Sequence, residues 1–173
     1  MRAAPIGAYF HDDPEMTAAQ AKASAEVTHM HPDGIAGAIA VAVAAAFVCQ
    51  WAIDGTLSDN RGSLIASVLP FVPSTTTKKM IEKAADTPTG TSHREAAAEL
   101  GNGEQIISQD TVPYCLWSVQ KELGSFTDAL WKTASVFGDI DTNCAIVGSI
   151  LCLGGPENTV PEEWVLHREP LIG

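Results

Sequence analysis

Residues 34–53 form a run of twenty positions without a single charge. A stretch this long has to be kept from water, either by lipid or by other protein. Its make-up decides between the two. It is rich in Ala and Gly rather than Leu, Phe and Ile, and Asp33 and Asp54 flank it with no Lys or Arg anchor near either end. Membrane spans are anchored by basic and aromatic residues instead. The run therefore reads as a central helix buried by its neighbours, with Gly37, Ala40 and Ala44 small enough for close approach, and no membrane partner is expected.

A buried helix needs other helices around it, and the rest of the chain offers them. Asp12-Asp13-Pro14-Glu15 reads as an N-cap followed by Pro in the first turn, opening a helix to about Thr28. Pro32-Asp33 starts the apolar helix, which should end near Ala52. Asp59 or Asn60 opens a helix through about Leu69, interrupted by Pro70 and Pro73. Residues 74–77 cap another that ends near Ala85, before a loop at 86–90. Thr91 or Ser92 caps a short helix stopped by Gly101, and Asn102-Gly103 is a turn. Thr111-Val112-Pro113 begins a helix ending at Gly124. Ser125 with Asp128 resembles a capping box for a helix ending at Gly138. Asp139 opens the next helix, which ends at Gly154-Gly155-Pro156, and Pro161-Glu162-Glu163-Trp164 starts a short last one. No segment sustains period-two alternation, so no strands are expected. The fold class is all-α, a compact multi-helix bundle. A length of 173 residues with 46% hydrophobic and 18% charged content suits one domain over residues 1–173.

Charge narrows the partners. A net charge of −11 disfavours nucleic acid, whose phosphates need Lys and Arg, and also anionic membrane surfaces. Cys49, Cys115, Cys144 and Cys152 form no Cys-x-x-Cys pair and lie in apolar stretches. Buried free thiols and a cytoplasmic setting are expected, and residues 1–10 lack the pattern of a secretory signal.

The chemistry concentrates at Gly138-Asp139-Ile140-Asp141-Thr142. Two carboxylates and a hydroxyl in four residues are hard oxygen ligands, suited to Mg²⁺, Mn²⁺ or Ca²⁺ rather than thiolate-held Zn²⁺. The plain alternative is an N-cap, with Asp139 or Asp141 satisfying free N–H groups at a helix start. A calcium loop fails because Cys144 and Ile150 stand where Gly and Glu are needed. The Asp-x-Asp of haloacid-dehalogenase-like phosphatases needs a preceding strand, and none is expected. His29-Met30-His31 reads as a helix-end pair or a weakly supported zinc pair. Asp110-Thr111-Val112-Pro113 reads as a helix cap, and Trp117, Trp131 and Trp164 read as core.

Taken in order and spacing, several segments carry a resemblance. They are Met1-Arg2-Ala3-Ala4-Pro5-Ile6-Gly7, Thr28-His29-Met30-His31-Pro32, Leu100-Gly101-Asn102-Gly103 and Asp110-Thr111-Val112-Pro113 with Leu116-Trp117. Ser125-Phe126-Thr127-Asp128-Ala129-Leu130-Trp131 follows, then Gly138–Thr142 with Ala145, Ile146 and Gly148. The set resembles the carboxyl-terminal half of the ADP-ribosylglycohydrolase family, the dinitrogenase-reductase-activating type and its relatives. The resemblance implies that Asp139, Asp141 and Thr142 bind Mg²⁺ (or Mn²⁺), usually as a binuclear site, and that His29 contacts the nucleotide part of the ligand. It implies ADP-ribose or an ADP-ribosylated protein as partner, and hydrolysis of the glycosidic bond to a side chain or other acceptor. Phe137 departs from the family, which usually has Gly there.

Family members are roughly twice this long, and their first half carries a Gly-Asp segment with a Glu and a Thr-Asp-Asp segment that are not in this sequence. Catalytic acids are therefore not assigned to this chain. The alternative reading is a truncated, catalytically incompetent member that acts as a folded binding module. A homo-oligomer or a separate N-terminal half is the expected partner, because loss of that half should uncover part of the apolar helix at 34–53.

Overall fold

The structure is a computed structural model that describes residues 1–88 and 90–170. Among them no strand occurs, and the elements are helices. The first two are α1 (Ala4–Tyr9) and α2 (Pro14–Glu26), followed by α3 (Pro32–Ile53), α4 (Leu57–Asn60), α5 (Leu64–Val68) and α6 (Thr76–Asp86). Then come α7 (His93–Leu100), α8 (Ser108–Glu122), α9 (Phe126–Ala134), α10 (Ile140–Leu151) and α11 (Glu162–Leu166).

The charge-free run is α3, and it is the axis of the bundle. Every residue from 39 to 46 is buried. Helices α1, α2, α5, α6, α8 and α10 pack around it. This chain's own helices cover the middle of the apolar stretch, while Ile35, Ala38, Phe47 and Trp51 are half-buried and Ile53 is exposed. Hydrophobic stabilisation follows the area removed from water, so the large buried side chains of the surrounding helices, among them Leu64, Ile81, Tyr114, Leu116 and Ile150, add what the alanines of α3 cannot. Its N-terminus is tied down as well. His31 Nδ1 accepts from the Asp33 N–H at 3.2 Å, and Asp33 Oδ1 accepts from the Thr77 N–H at 2.6 Å, joining α3 to the start of α6.

Helix α1 was not foreseen. Pro5 and Gly7 give it little intrinsic propensity, and it forms because it packs on α3. Gly7 makes this possible, since a Cβ there would lie 2.8 Å from Ala45 Cβ and would overlap the Ala42 carbonyl oxygen. Several boundaries also differ. The helix expected at 59–69 is broken into α4, a 3₁₀ turn at Arg61–Ser63, α5 and a second turn at Leu69–Phe71. Helix α6 runs through Asp86 into the expected loop, of which Thr89 lies outside the described residues.

Helix α8 begins at Ser108, a full turn before Pro113, so the proline sits inside it. Neither Asp110 nor Thr111 caps it. Asp110 Oδ2 instead accepts from the Gln105 N–H at 2.9 Å and organises the preceding loop. Ser125 makes no side-chain cap, and α9 stops at Ala134 rather than Gly138. The Ser92–Glu95 capping box of α7 is formed in full.

The cysteines are free, but only Cys115 is buried; Cys152 is exposed, and Cys49 and Cys144 are half-buried. Trp117 is core, whereas Trp131 is 66% exposed and packs edge-on against the half-buried Trp164.

A polar cluster lies inside the α7–α8–α9 contact. His93 Nε2 lies 2.9 Å from Glu122 Oε1, His93 Nδ1 lies 3.0 Å from the Tyr114 hydroxyl, and Lys132 Nζ donates to Glu122 Oε2 at 2.7 Å. The arrangement fits a neutral imidazole that donates to the carboxylate from Nε2 and accepts from Tyr114 at Nδ1. Burial holds His93 below its usual pKa, with Lys121 and Lys132 acting in the same direction and Glu122 opposing. Burial alone would raise Glu122, but hydrogen bonds from Lys132 and His93 outweigh it and keep the carboxyl ionised.

Candidate functional site

A cavity of about 340 Å³ opens between the N-terminal segment, α2, α3, the loop before α8, and the start of α10. Asp139, Thr142 and His29 all line it, with Arg2, Thr28 and Ser108. Three of the four sequence-expected site residues are therefore brought together from positions more than one hundred residues apart. Asp141 does not line the cavity and is exposed beside it.

The carboxylates are set by local backbone chemistry. Asp139 is the N-cap of α10, with Oδ1 accepting from the Thr142 N–H at 3.4 Å. The cap reading and the ligand reading thus fall on the same residue and do not compete. Hydrogen-bond contact with Asp141, then with the Thr142 hydroxyl, holds the Asp139 carboxyl below the usual carboxylate range, against some desolvation.

The loop before α8 fixes the position of Asp139. The Asn102 carbonyl accepts from the Asp139 N–H at 3.1 Å and from the Asn143 side-chain amide at 2.6 Å. Gly103 N–H donates to the Asp110 carbonyl at 3.0 Å, and a Cβ at Gly103 would lie 2.8 Å from Asp139 Cβ. Asn143 is fully buried and Cys115 Sγ contacts its Oδ1 at 3.5 Å.

Phe137 stands where the resembled family has Gly, and its conformation explains why. Its φ is +61°, in the left-handed region that disfavours a side chain, and the ring is 72% exposed and outside the cavity. It substitutes for Gly in the backbone turn and does not block the site. A bulky residue there costs about 1–2 kcal/mol relative to glycine's freedom. Phe137→Gly is accordingly expected to stabilise the protein by about 1 kcal/mol. The check is a higher urea midpoint at unchanged m-value; an unchanged or lower midpoint would show that the ring contributes packing.

Arg2, Thr28 and His29 form another part of the cavity lining. Arg2 Nη2 donates to Thr28 Oγ1 at 2.9 Å, and His29 Nδ1 lies 2.8 Å from the same oxygen. His29 is exposed and belongs to the cavity, while His31 serves as the cap of α3 and does not line it. Arg2, Thr28, Asn102, Asn143 and Ser108 were not singled out from sequence as site residues. Only Asn102-Gly103 gave a local signal there, and it read as a turn.

Two carboxylates and a hydroxyl in contact are hard oxygen donors that suit a hard divalent cation. Among the described residues no three His, Cys, Asp or Glu side chains converge to hold a metal ion. The residues present therefore fit one flank of a magnesium or manganese site, with the remaining ligands drawn from water or from outside this set.

The profile of the ADP-ribosylglycohydrolase family matches residues 1–171. A protein of Archaeoglobus fulgidus described as an uncharacterized protein is 32% identical over 168 residues, which is 95% of this chain and 50% of that protein. The chain spans about half the length of the curated relative it matches.

Proposed function

This chain belongs to the ADP-ribosylglycohydrolase family, and we propose that it serves metal-dependent hydrolysis of the glycosidic bond between ADP-ribose and a protein side chain or other acceptor. The observation that carries this reading is the single cavity that gathers Asp139, Thr142 and His29, with Asp141 touching Asp139 at its edge. Asp139, Asp141 and Thr142 would hold Mg²⁺ or Mn²⁺. A bound divalent ion would polarise ribose hydroxyls and lower the pKa of a water for attack at the anomeric carbon.

The chain's own residues contribute binding and orientation. Asp139 stays ionised and accepts hydrogen bonds. Arg2, which lines the cavity, suits the anionic diphosphate of ADP-ribose, and His29 in the same lining would contact its nucleotide part. In the overall step the C1′–acceptor bond breaks, the water oxygen joins C1′, and the acceptor leaves with a proton. An acidic protein can accommodate a diphosphate in this way when metal ions offset the local charge. The general base is not assigned to a residue of this chain.

A second reading is favoured by the two-carboxylate count: a folded module that binds ADP-ribose without completing the chemistry. Such a module, or the enzyme, would work in a cytoplasmic setting, as a homo-oligomer or beside a separate N-terminal half.

The test is calorimetric titration of Mg²⁺ and Mn²⁺ with ADP-ribose present, on the wild type and on Asp141→Ala. Asp141 is exposed, so its loss should leave the fold intact. The expected result is saturable binding in the wild type, weakened at least tenfold in the variant. Equal binding in both would remove Asp141 from the site. Binding without hydrolysis of an ADP-ribosylated peptide would favour the module, and no binding by a folded wild type would end both readings.

A further inference from the structure

Ser108 is the first residue of α8 and lines the cavity together with Thr111, Asp139 and Thr142. Its Oγ is buried without a hydrogen-bond partner, and among the described residues it is the one buried side-chain nitrogen or oxygen in that condition. Buried hydroxyls in folded proteins nearly always have partners, because an orphaned one forfeits its bonds to water.

The surroundings show that this oxygen is not a packing accident. It lies against Gly37 of α3, where a Cβ would collide with it, and the next atom from that Cβ position is Val112 Cγ2 at 3.1 Å. Room for the oxygen exists because position 37 has no side chain. The neighbouring polar groups are all served: Thr111 Oγ1 donates to the Ile107 carbonyl at 3.0 Å, and Asp110 accepts from Gln105. The start of α8 thus satisfies its other buried side-chain polar groups and leaves this one.

We infer that Ser108 is a ligand-contacting, specificity-determining residue whose hydroxyl is held for a sugar hydroxyl of the molecule that fills the cavity. This rests on the ADP-ribose reading of the site and names a contact within it. The chemistry selects the class of group. The Asp139 carboxylate, which lines the same cavity, accepts, whereas a serine hydroxyl both donates and accepts. A vicinal diol meets both, giving one proton to the carboxylate and pairing its other hydroxyl with Ser108. A phosphate at that place would be repelled by Asp139, and an apolar group would leave Ser108 unpaired. Gly37, against which the oxygen lies, lines the same cavity. A binding site that keeps such an unsatisfied group trades some stability for recognition.

The experiment uses Ser108→Ala and two measurements: thermal unfolding without ligand, and calorimetric affinity for ADP-ribose at saturating Mg²⁺. Removing an orphaned hydroxyl should leave Tm unchanged or raise it by about 2 °C, while the affinity falls about tenfold. A merely structural serine would show the reverse, with lower Tm and unchanged affinity, and that result overturns the inference. Unchanged affinity at any Tm also overturns it, and is the result expected if an internal water serves the hydroxyl. If the wild type binds ADP-ribose and the variant binds it equally, only the role of Ser108 falls. If the folded wild type does not bind ADP-ribose, the reading of the whole site falls and this contact falls with it.

Discussion

Replacing Glu122 by alanine should destabilise the protein by about 3 kcal/mol and lower its melting temperature by about 10 °C. Glu122 is buried and accepts from two directions, His93 at 2.9 Å and Lys132 at 2.7 Å. Its loss leaves the His93 Nε2–H facing a cavity in the α7–α8 contact, and a buried donor left unpaired costs far more than the intact bond contributes. Lys132 is half-exposed and can turn to water, which places the cost toward the low end for breaking a buried ionic contact. Glu122→Gln keeps the shape and should lose about half as much. Equal loss in the two variants would show that packing, not hydrogen bonding, is what Glu122 supplies.

The same cluster sets a pH dependence whose sign follows from His93. The folded protein holds this imidazole neutral, below its ordinary pKa of 6.5, chiefly through burial. The unfolded chain therefore takes up a proton that the folded one refuses, and the His93 contribution is present above pH 6.5 and fades as the pH falls below it. Glu122 and Asp33, both held below their ordinary values, add to the loss only in more acidic solution, below about 4.5 and 3.8 respectively. Chemical denaturation at stepped pH should show a decline that begins near 6.5, and His93→Gln should remove it.

Gly7→Ala is expected to cost about 3 kcal/mol. The added methyl would overlap the Ala42 carbonyl oxygen and approach the Ala46 nitrogen at 2.8 Å. Those atoms are backbone of the most deeply buried helix and cannot rotate aside, so α1 would have to lift from α3. The measurement is the denaturation midpoint, with near-ultraviolet circular dichroism to follow tertiary packing. A loss under 1 kcal/mol would mean that α1 shifts easily and is only loosely docked. Because α1 carries Ile6 into the wall of the cavity, the variant also tests how firmly that wall is held.

What could be read from the residues, and what could not, divides along sequence distance. Helix α3 was legible because a charge-free run of that length has few alternatives, and α7 because Ser92 and Glu95 lie three apart. Asp139 announced itself through neighbours within four positions. By contrast, α1 has no propensity of its own and exists through contact with α3. The turn of α8 that precedes Pro113 runs against the usual reading of proline as a first-turn residue. Trp131 was misread as core because its apolar neighbours in sequence face elsewhere in space. The His93–Tyr114–Glu122–Lys132 cluster spans three helices, and the pairing of Arg2 with Thr28 bridges 26 positions. No local pattern encodes such partnerships. Of the site, the acidic residues were legible in detail, and of Arg2, Thr28 and His29 only His29 was.

The Asn102 carbonyl, shared between the Asp139 amide and the Asn143 side chain, has a consequence for the thermodynamics of recognition. It fastens the loop before α8 to the first turn of α10, so the carboxylate is presented on a frame already fixed before any ligand arrives. Ordering of a mobile backbone is one of the main costs of association. Here that ordering is completed during folding, and binding at Asp139 has little conformational entropy left to lose.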